Sequence, residues 1–330
     1  MLNLVTGATG MIGSHLVEAL LARGETVRAL VRPTSQAARL RELGVELRIG
    51  SLTDNATLMA AADGVERVYH CAALVQDYGP PQAFEQANVI GVRNILAAAT
   101  RARVSRFVFV STTDIYGFPG RPVSESERPS PRGIAYTDSK IEGERLVWNH
   151  HRSVKLPVSI IRPATVFGPG SRLLVAGLIE LLRRRQLPHI DEGQHIAGLT
   201  YVGNLVDLML LAADNEQAVG QAYNASDASD ITWAHYIEQL AGLAELPPPR
   251  KSYPYRRAFT LASLWEGWYN LRGRTDRPPL TRLMVELMGT DQLYPITKAQ
   301  QQLGYAPRMT FDQGMRAVHD YMKRNGLTLG

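Results

Sequence analysis

The stretch LNLVTGATGMIGSHLVEALL, Leu2 to Leu21, limits the possible folds more than any other part of the chain. An apolar run suited to a buried strand passes through Gly7, Gly10 and Gly13 directly into helical periodicity. Gly-rich turns alone are common, but a glycine turn between a strand and a helix is what a βαβ dinucleotide-binding unit requires. Gly7 and Gly10 permit the turn and close backbone approach, and Gly13 lets the helix lie near the strand. The N–H groups around Met11 and Ile12 would then face a pyrophosphate, with the helix dipole behind them.

The pattern continues. TVRALVR, VELRIG, RVYHCAA, RFVFVST and VSIIRPATVFG read as strands, with helical segments such as QANVIGVRNILAAATRA between them. Continuous apolar strands alternating with helices predict an α/β fold, a doubly wound parallel sheet of Rossmann type covered on both faces. Beyond about Gly170 the chain turns helix-rich, through LIELLRRRQLP, NLVDLMLLAADN and WAHYIEQLAGLAELPPP. The expected organisation is a dinucleotide-binding domain over 1–170. A smaller, mostly helical substrate region over 171–330 would send some segments back to the main sheet. With 330 residues and 45% apolar content there is enough material for both.

No apolar run approaches the roughly 20 residues of a membrane span, and the start of the chain reads as a core strand with no leader pattern, so a cytoplasmic protein is expected. The single cysteine, Cys71, provides no metal cluster and reads as a small buried residue. A net charge of +5 argues little for nucleic acid and suits an anionic cofactor or substrate.

Two further features bear on chemistry. The second strand ends in Val31, Arg32 and Pro33, with no carboxylate for a ribose diol. Arg32, helped by Thr34 or Ser35, would pair with a 2′-phosphate, so NADP is favoured over NAD, although a solvated Arg32 beside a permissive pocket would accept NAD. In AYTDSKIEGERL, Tyr136 and Lys140 lie four apart and share a helical face. A tyrosine of pKa about 10 becomes a usable acid/base when a neighbouring ammonium and a cationic nicotinamide favour its phenolate.

These segments together resemble the extended short-chain dehydrogenase/reductase family. Its TGxxGxxG is Thr6 to Gly13, its YxxxK is Tyr136 to Lys140, and its RPxxVYGPG is Arg162 to Gly170 with Phe167 in place of tyrosine. Its HxAA is His70 to Ala73. The resemblance is specific from Asn3 to Gly170 and looser beyond. It implies Tyr136 as acid/base, Lys140 on the nicotinamide ribose, and Thr112, four residues before Tyr116, as the hydroxyl on the substrate oxygen, with Ser111 and Thr113 as neighbours. Asn88 would support a water or backbone relay. The cofactor would lie against Gly7, Thr9, Gly10, Met11, Ile12, Gly13, Arg32, Ser51, Leu52, Ala72, Lys140, Pro163 and Val166. Ser51 replaces the aspartate that many relatives place near adenine. No metal is implied, and His70 is expected to line the cofactor pocket without acting as a base.

Thr112 is followed by Thr113 and Asp114, whereas dehydratases of the family carry two acids there, which disfavours dehydration. The PPLTR of Pro278 to Arg282 resembles the 3β-hydroxysteroid dehydrogenase-like branch. The expected reaction is therefore a secondary alcohol–ketone interconversion on a hydrophobic, sterol-like or β-keto substrate. The alternative is a nucleotide-sugar 4-epimerase with tightly held NAD, and a third is a non-catalytic NADP sensor, which commonly lacks the tyrosine or lysine. The basic, aromatic stretch 250–282 has three readings: a substrate lid, a peripheral membrane contact, or ordinary packing of an amphipathic helix. Arg183 to Arg185 read as a solvated helix end. Relatives often dimerise through two helices, so a homodimer through the helix of Tyr136 and ANVIGVRNILAAAT is an expectation from the resemblance alone.

Overall fold

The computed structural model describes residues 1–326. Six strands in the first half, β1 (Leu2–Thr6), β2 (Thr26–Val31), β3 (Glu46–Ile49), β4 (Arg67–His70), β5 (Arg106–Val110) and β6 (Val158–Pro163), enter one sheet. Three short strands follow: β7 (Thr165–Phe167) pairs with β9 (Leu199–Tyr201), and β8 (His189–Ile190) pairs with the later β11 (Ser252–Tyr253). The tenth, β10 (Gln221–Ala225), returns to the main sheet beside β6, giving the order β10-β6-β5-β4-β1-β2-β3. All pairings in it are parallel. The strand patterns explain this, because β5 and β6 are buried at every residue, as strands covered on both faces must be.

On one face, Leu16, Val17 and Leu20 of the helix Met11–Ala22 pack with Leu205, Leu208 and Met209 of the helix Val202–Asp214. On the other, Leu58, Ile95, Leu96 and Val147 come from the helices Asn55–Ala62, Gly91–Ala102 and Ala135–Val154. A further core, built on Phe167, Leu178, Trp233, Ile237, Val285 and Val318, belongs to the C-terminal helices.

The chain builds outward from β1 to β2 and β3, then crosses back to place β4 on β1's other side. The connections therefore diverge between the carboxyl ends of β1 and β4 and leave a crevice there, the usual ligand position of an open α/β sheet. A small apolar cluster forms where Phe84, Phe118, Ile134, Tyr136 and Leu283 pack together. Leu283 brings the helix Arg282–Met288 into it.

Candidate active site

The crevice begins at the two strand ends. Thr6 Oγ1 and His70 Nδ1 are 2.7 Å apart, tying the end of β1 to that of β4. Gly7 has φ +75°, and a Cβ there would fall 2.7 Å from the Ala72 backbone nitrogen, so the two loops touch with no room for a side chain. A Cβ on Gly13 would fall 2.2 Å from the Gly7 carbonyl oxygen, because the helix Met11–Ala22 starts against the loop. That helix has no side-chain cap. Its first N–H groups face the crevice beside Thr9 and the exposed Gly10. A Gly13→Ala chain should lose about 1–3 kcal/mol of stability and most dinucleotide affinity, read as a lower melting temperature and a lost nicotinamide fluorescence titration. An unchanged titration would contradict this packing.

Around the rim, Arg32 at the end of β2 is exposed and makes no ion pair among the described residues. Ser51 Oγ pairs with Thr53 Oγ1 at 2.9 Å, and the Leu52 carbonyl accepts from Asn94 Nδ2 at 2.9 Å, which fixes that loop. Pro163 is buried at the end of β6, and Val166 is half-buried in β7.

The helix Ala135–Val154 carries Tyr136 and Lys140 on one face. Lys140 is 3% exposed, donates from Nζ to the Val110 carbonyl at 2.7 Å, and lies 4.7 Å from the Phe109 ring centre. Burial pulls its pKa down to about 8, with the Glu144 carboxylate the largest opposing influence. Tyr136 is pushed above the usual tyrosine range by burial and then by the Asp114 carboxylate, with the Thr112 hydroxyl opposing. Burial and the Asp114 charge therefore favour the protonated phenol. Asp114 is half-buried, and burial raises it to about 6 against Thr112 and Lys140.

Thr112 is buried with extended backbone and accepts from the Asp114 backbone N–H at 3.2 Å, so its hydroxyl sits at the start of the turn Thr113–Tyr116. Asn88 is bound to the loop after β4 and to the helix of Tyr136. Its Oδ1 accepts from Leu74 N–H at 2.8 Å, and its Nδ2 donates to the Leu74 carbonyl and to Ser139 Oγ, both at 3.0 Å. The amide thus joins the loop after β4 to the helix of Tyr136, and Ser139 in turn donates to the Tyr136 carbonyl. Burial, then the Lys140 charge, pushes His70 down to about 3, and burial raises the Cys71 thiol to about 12, leaving both uncharged.

Sequence reasoning missed a buried ion pair behind the site. Glu144 accepts from Arg162 Nη2 at 2.5 Å and Nε at 3.2 Å, from Ser111 Oγ at 2.6 Å and from Trp148 Nε1 at 3.1 Å. Arg162 also donates to Tyr116 Oη at 2.8 Å. Glu144 continues the four-residue spacing from Tyr136 and Lys140, so its place on that face was readable; its partner on β6 was not.

PPLTR forms a clasp. Thr281 caps the helix Arg282–Met288 and donates to Asp77, which also accepts from Arg277 at 2.6 Å. Arg282 pairs with Glu266 at 2.7 Å and donates to the Gly133 carbonyl at 2.9 Å.

The sequence model of the NAD dependent epimerase/dehydratase family matches residues 3–226. The chain belongs to this family. Within it, a 4-hydroxy-2-methyl-3-oxo-4-farnesyl-3,4-dihydroquinoline-1-oxide ketoreductase of Stigmatella aurantiaca is 31% identical over 96% of each chain. A 3 beta-hydroxysteroid dehydrogenase/Delta 5-->4-isomerase of Mycobacterium tuberculosis is 30% identical over 96% of this chain and 89% of its own. The UDP-glucose 4-epimerase of Thermotoga maritima shares the fold with a TM-score of 0.79 at 22% identity, covering 98% of this chain and 99% of its own. The protein is thus an NAD(P)-dependent oxidoreductase of the extended short-chain type. The uncapped helix start and the side-chain-free approach of Gly7 to Ala72 fit a dinucleotide's pyrophosphate.

Proposed function

We propose that the protein reduces a ketone to a secondary alcohol, reversibly, on a hydrophobic sterol-like or β-keto substrate, with NADP preferred. The observation that carries this reading is the apolar wall around Tyr136, formed by Phe84, Phe118, Ile134 and Leu283 with Leu74 and Leu287 beside them. A nucleotide sugar would need polar partners in that wall, and a substrate ketone on an apolar body would not. The named relatives support the same direction, one being a ketoreductase and another a hydroxysteroid dehydrogenase.

The bound dinucleotide would supply the hydride exchange. Gly7, Thr9, Gly10, Met11, Ile12 and Gly13 would cradle its pyrophosphate. Ser51 and Leu52 would lie at the adenine, Arg32 at the 2′-phosphate, and Ala72, Pro163 and Val166 along its nicotinamide half. Lys140 would bind the nicotinamide ribose. Tyr136 would donate its phenolic proton to the substrate oxygen during reduction and take it back during oxidation, and Thr112 would hydrogen-bond that oxygen. Asn88 positions the helix of Tyr136 through Leu74 and Ser139 and does not itself carry a proton.

Two expected results follow from these roles. Arg32→Ala should raise the apparent Kd for NADPH by about tenfold, an amount typical of one charge-assisted pair, and leave NADH unchanged; equal effects on both would remove the 2′-phosphate contact. Lys140 is cationic below about 8 and neutral above it. The kcat/KM for reduction should therefore be flat below that pH and fall above it, and a rate still level well above it would contradict a required ammonium. The substrate class is tested by steady-state reduction of ketosteroids and long-chain β-keto acids beside UDP-hexose interconversion.

A further inference from the structure

The helix Tyr255–Leu271 is apolar on two opposite sides. Ala258, Ala262 and Tyr269 are buried against the protein, with Tyr255 and Phe259 partly so. Leu261, Leu264, Trp265, Trp268 and Leu271 face outward with 42%, 66%, 40%, 40% and 83% of their surfaces exposed. Their spacing of three and four residues places them in one continuous stripe. A contiguous exposed apolar stripe marks a surface that meets another apolar phase, and no part of the described chain covers this one.

The charges along the segment are mostly positive, with Asp191 and Glu192 near its start. Arg256 and Arg257 precede the stripe and Arg272 follows it, with Arg250 and Lys251 just upstream; all five are exposed and none forms an ion pair among the described residues. The acids of the segment are already matched, Glu266 by Arg282 and Asp276 by Arg274. Arg272 stacks over Trp268 at 5.6 Å. No helix of the described residues is long and apolar enough to cross a membrane.

We propose that this helix lies in the headgroup region of an anionic phospholipid surface, with Leu261, Leu264, Trp265, Trp268 and Leu271 entering the acyl boundary and the five cations on lipid phosphates. Charge decides between a lipid surface and a second copy of the chain. A two-fold contact through this stripe would bring two sets of unmatched cations together, whereas an anionic surface neutralises them. The position also serves the cleft. Tyr269 packs edge-on against Tyr78 at 6.0 Å, and Tyr78 Oη donates to Asn270 Oδ1 at 2.7 Å. The same loop carries Leu74, which packs beside Tyr136. A lipophilic ketone would thus reach the rim directly from the lipid. The docking itself stands whatever the substrate is.

The test is co-sedimentation of the full chain with vesicles of phosphatidylcholine alone or phosphatidylcholine containing phosphatidylglycerol, with tryptophan emission recorded in parallel. The expected result is pelleting with the anionic vesicles only, a blue shift, and release at high salt. The double variant Leu264→Glu, Leu271→Glu should lose about tenfold or more in vesicle affinity. Its melting temperature and turnover of a water-dispersed substrate should be unchanged, since both side chains are exposed. Wild-type protein left in the supernatant with both vesicles would overturn the proposal. So would binding indifferent to the double variant, or a concentration-dependent dimer that the double variant dissolves without any vesicle binding.

Discussion

Tyr136→Phe should lower turnover by about 1,000-fold while leaving dinucleotide affinity nearly unchanged. Positioned proton transfer contributes about 100- to 10,000-fold in general, and no other group here can replace the phenol. Within the cleft, His70 is neutral, with Nδ1 already paired to Thr6. Lys140 is bound to the Val110 carbonyl, and Asp114, raised by burial to about 6, is mostly ionised at neutral pH. Phenylalanine keeps the ring that packs against Phe84 at 6.5 Å, so the wall and the crevice should survive. The checks are single-turnover reduction and a nicotinamide fluorescence titration on the same preparation. Retained turnover would assign the proton to another group and remove the proposed chemistry.

Glu144→Leu should cost about 3–5 kcal/mol, because it leaves the guanidinium of Arg162 buried without its counter-charge. Arg162 is 4% exposed; burial alone would lower its pKa, but Glu144 and then Tyr116 outweigh that and keep it charged. At roughly 2–4 °C per kcal/mol for a chain of this order of size, the melting temperature should fall by about 6–20 °C. Adding Arg162→Met should recover much of the loss, since a matched apolar pair is often no worse than a buried ion pair. Calorimetry of the two single variants and the double variant gives the coupling. Additive losses would mean the pair is not a unit. Because Glu144 shares the face of Tyr136 and Lys140 and holds Ser111 beside Thr112, turnover should fall as well, though less than in Tyr136→Phe.

What the sequence could show follows from the range of each interaction. The parallel sheet was legible because β1, β5 and β6 are short, mostly apolar runs separated by helical segments, the pattern of strands buried on both faces. The glycine loop was legible because strand, turn and helix are adjacent in the chain. Tyr136 and Lys140 could be placed on one face by local helical spacing, but that spacing says nothing of where the ammonium points. Its bond to Val110 depends on a strand 30 residues away. The same holds for Arg162 with Glu144, and for Asn88, whose amide is taken up by a backbone that only the folded loop brings to it. The helix Tyr255–Leu271 illustrates a different limit. Its apolar residues cover more than one side, so periodicity could not say which stripe is packed and which is exposed.

The most direct test of an NADP-preferring ketone reductase is one titration: purified protein, checked for carried dinucleotide, given NADPH and then a hydrophobic ketone, with nicotinamide absorbance followed. The account predicts protein that arrives empty, binds NADPH more tightly than NADH and oxidises it in stoichiometry with the ketone, with the signal lost in Tyr136→Phe. Protein that arrives with NAD bound, ignores NADPH and interconverts UDP-hexoses with no net change in the nicotinamide would contradict it.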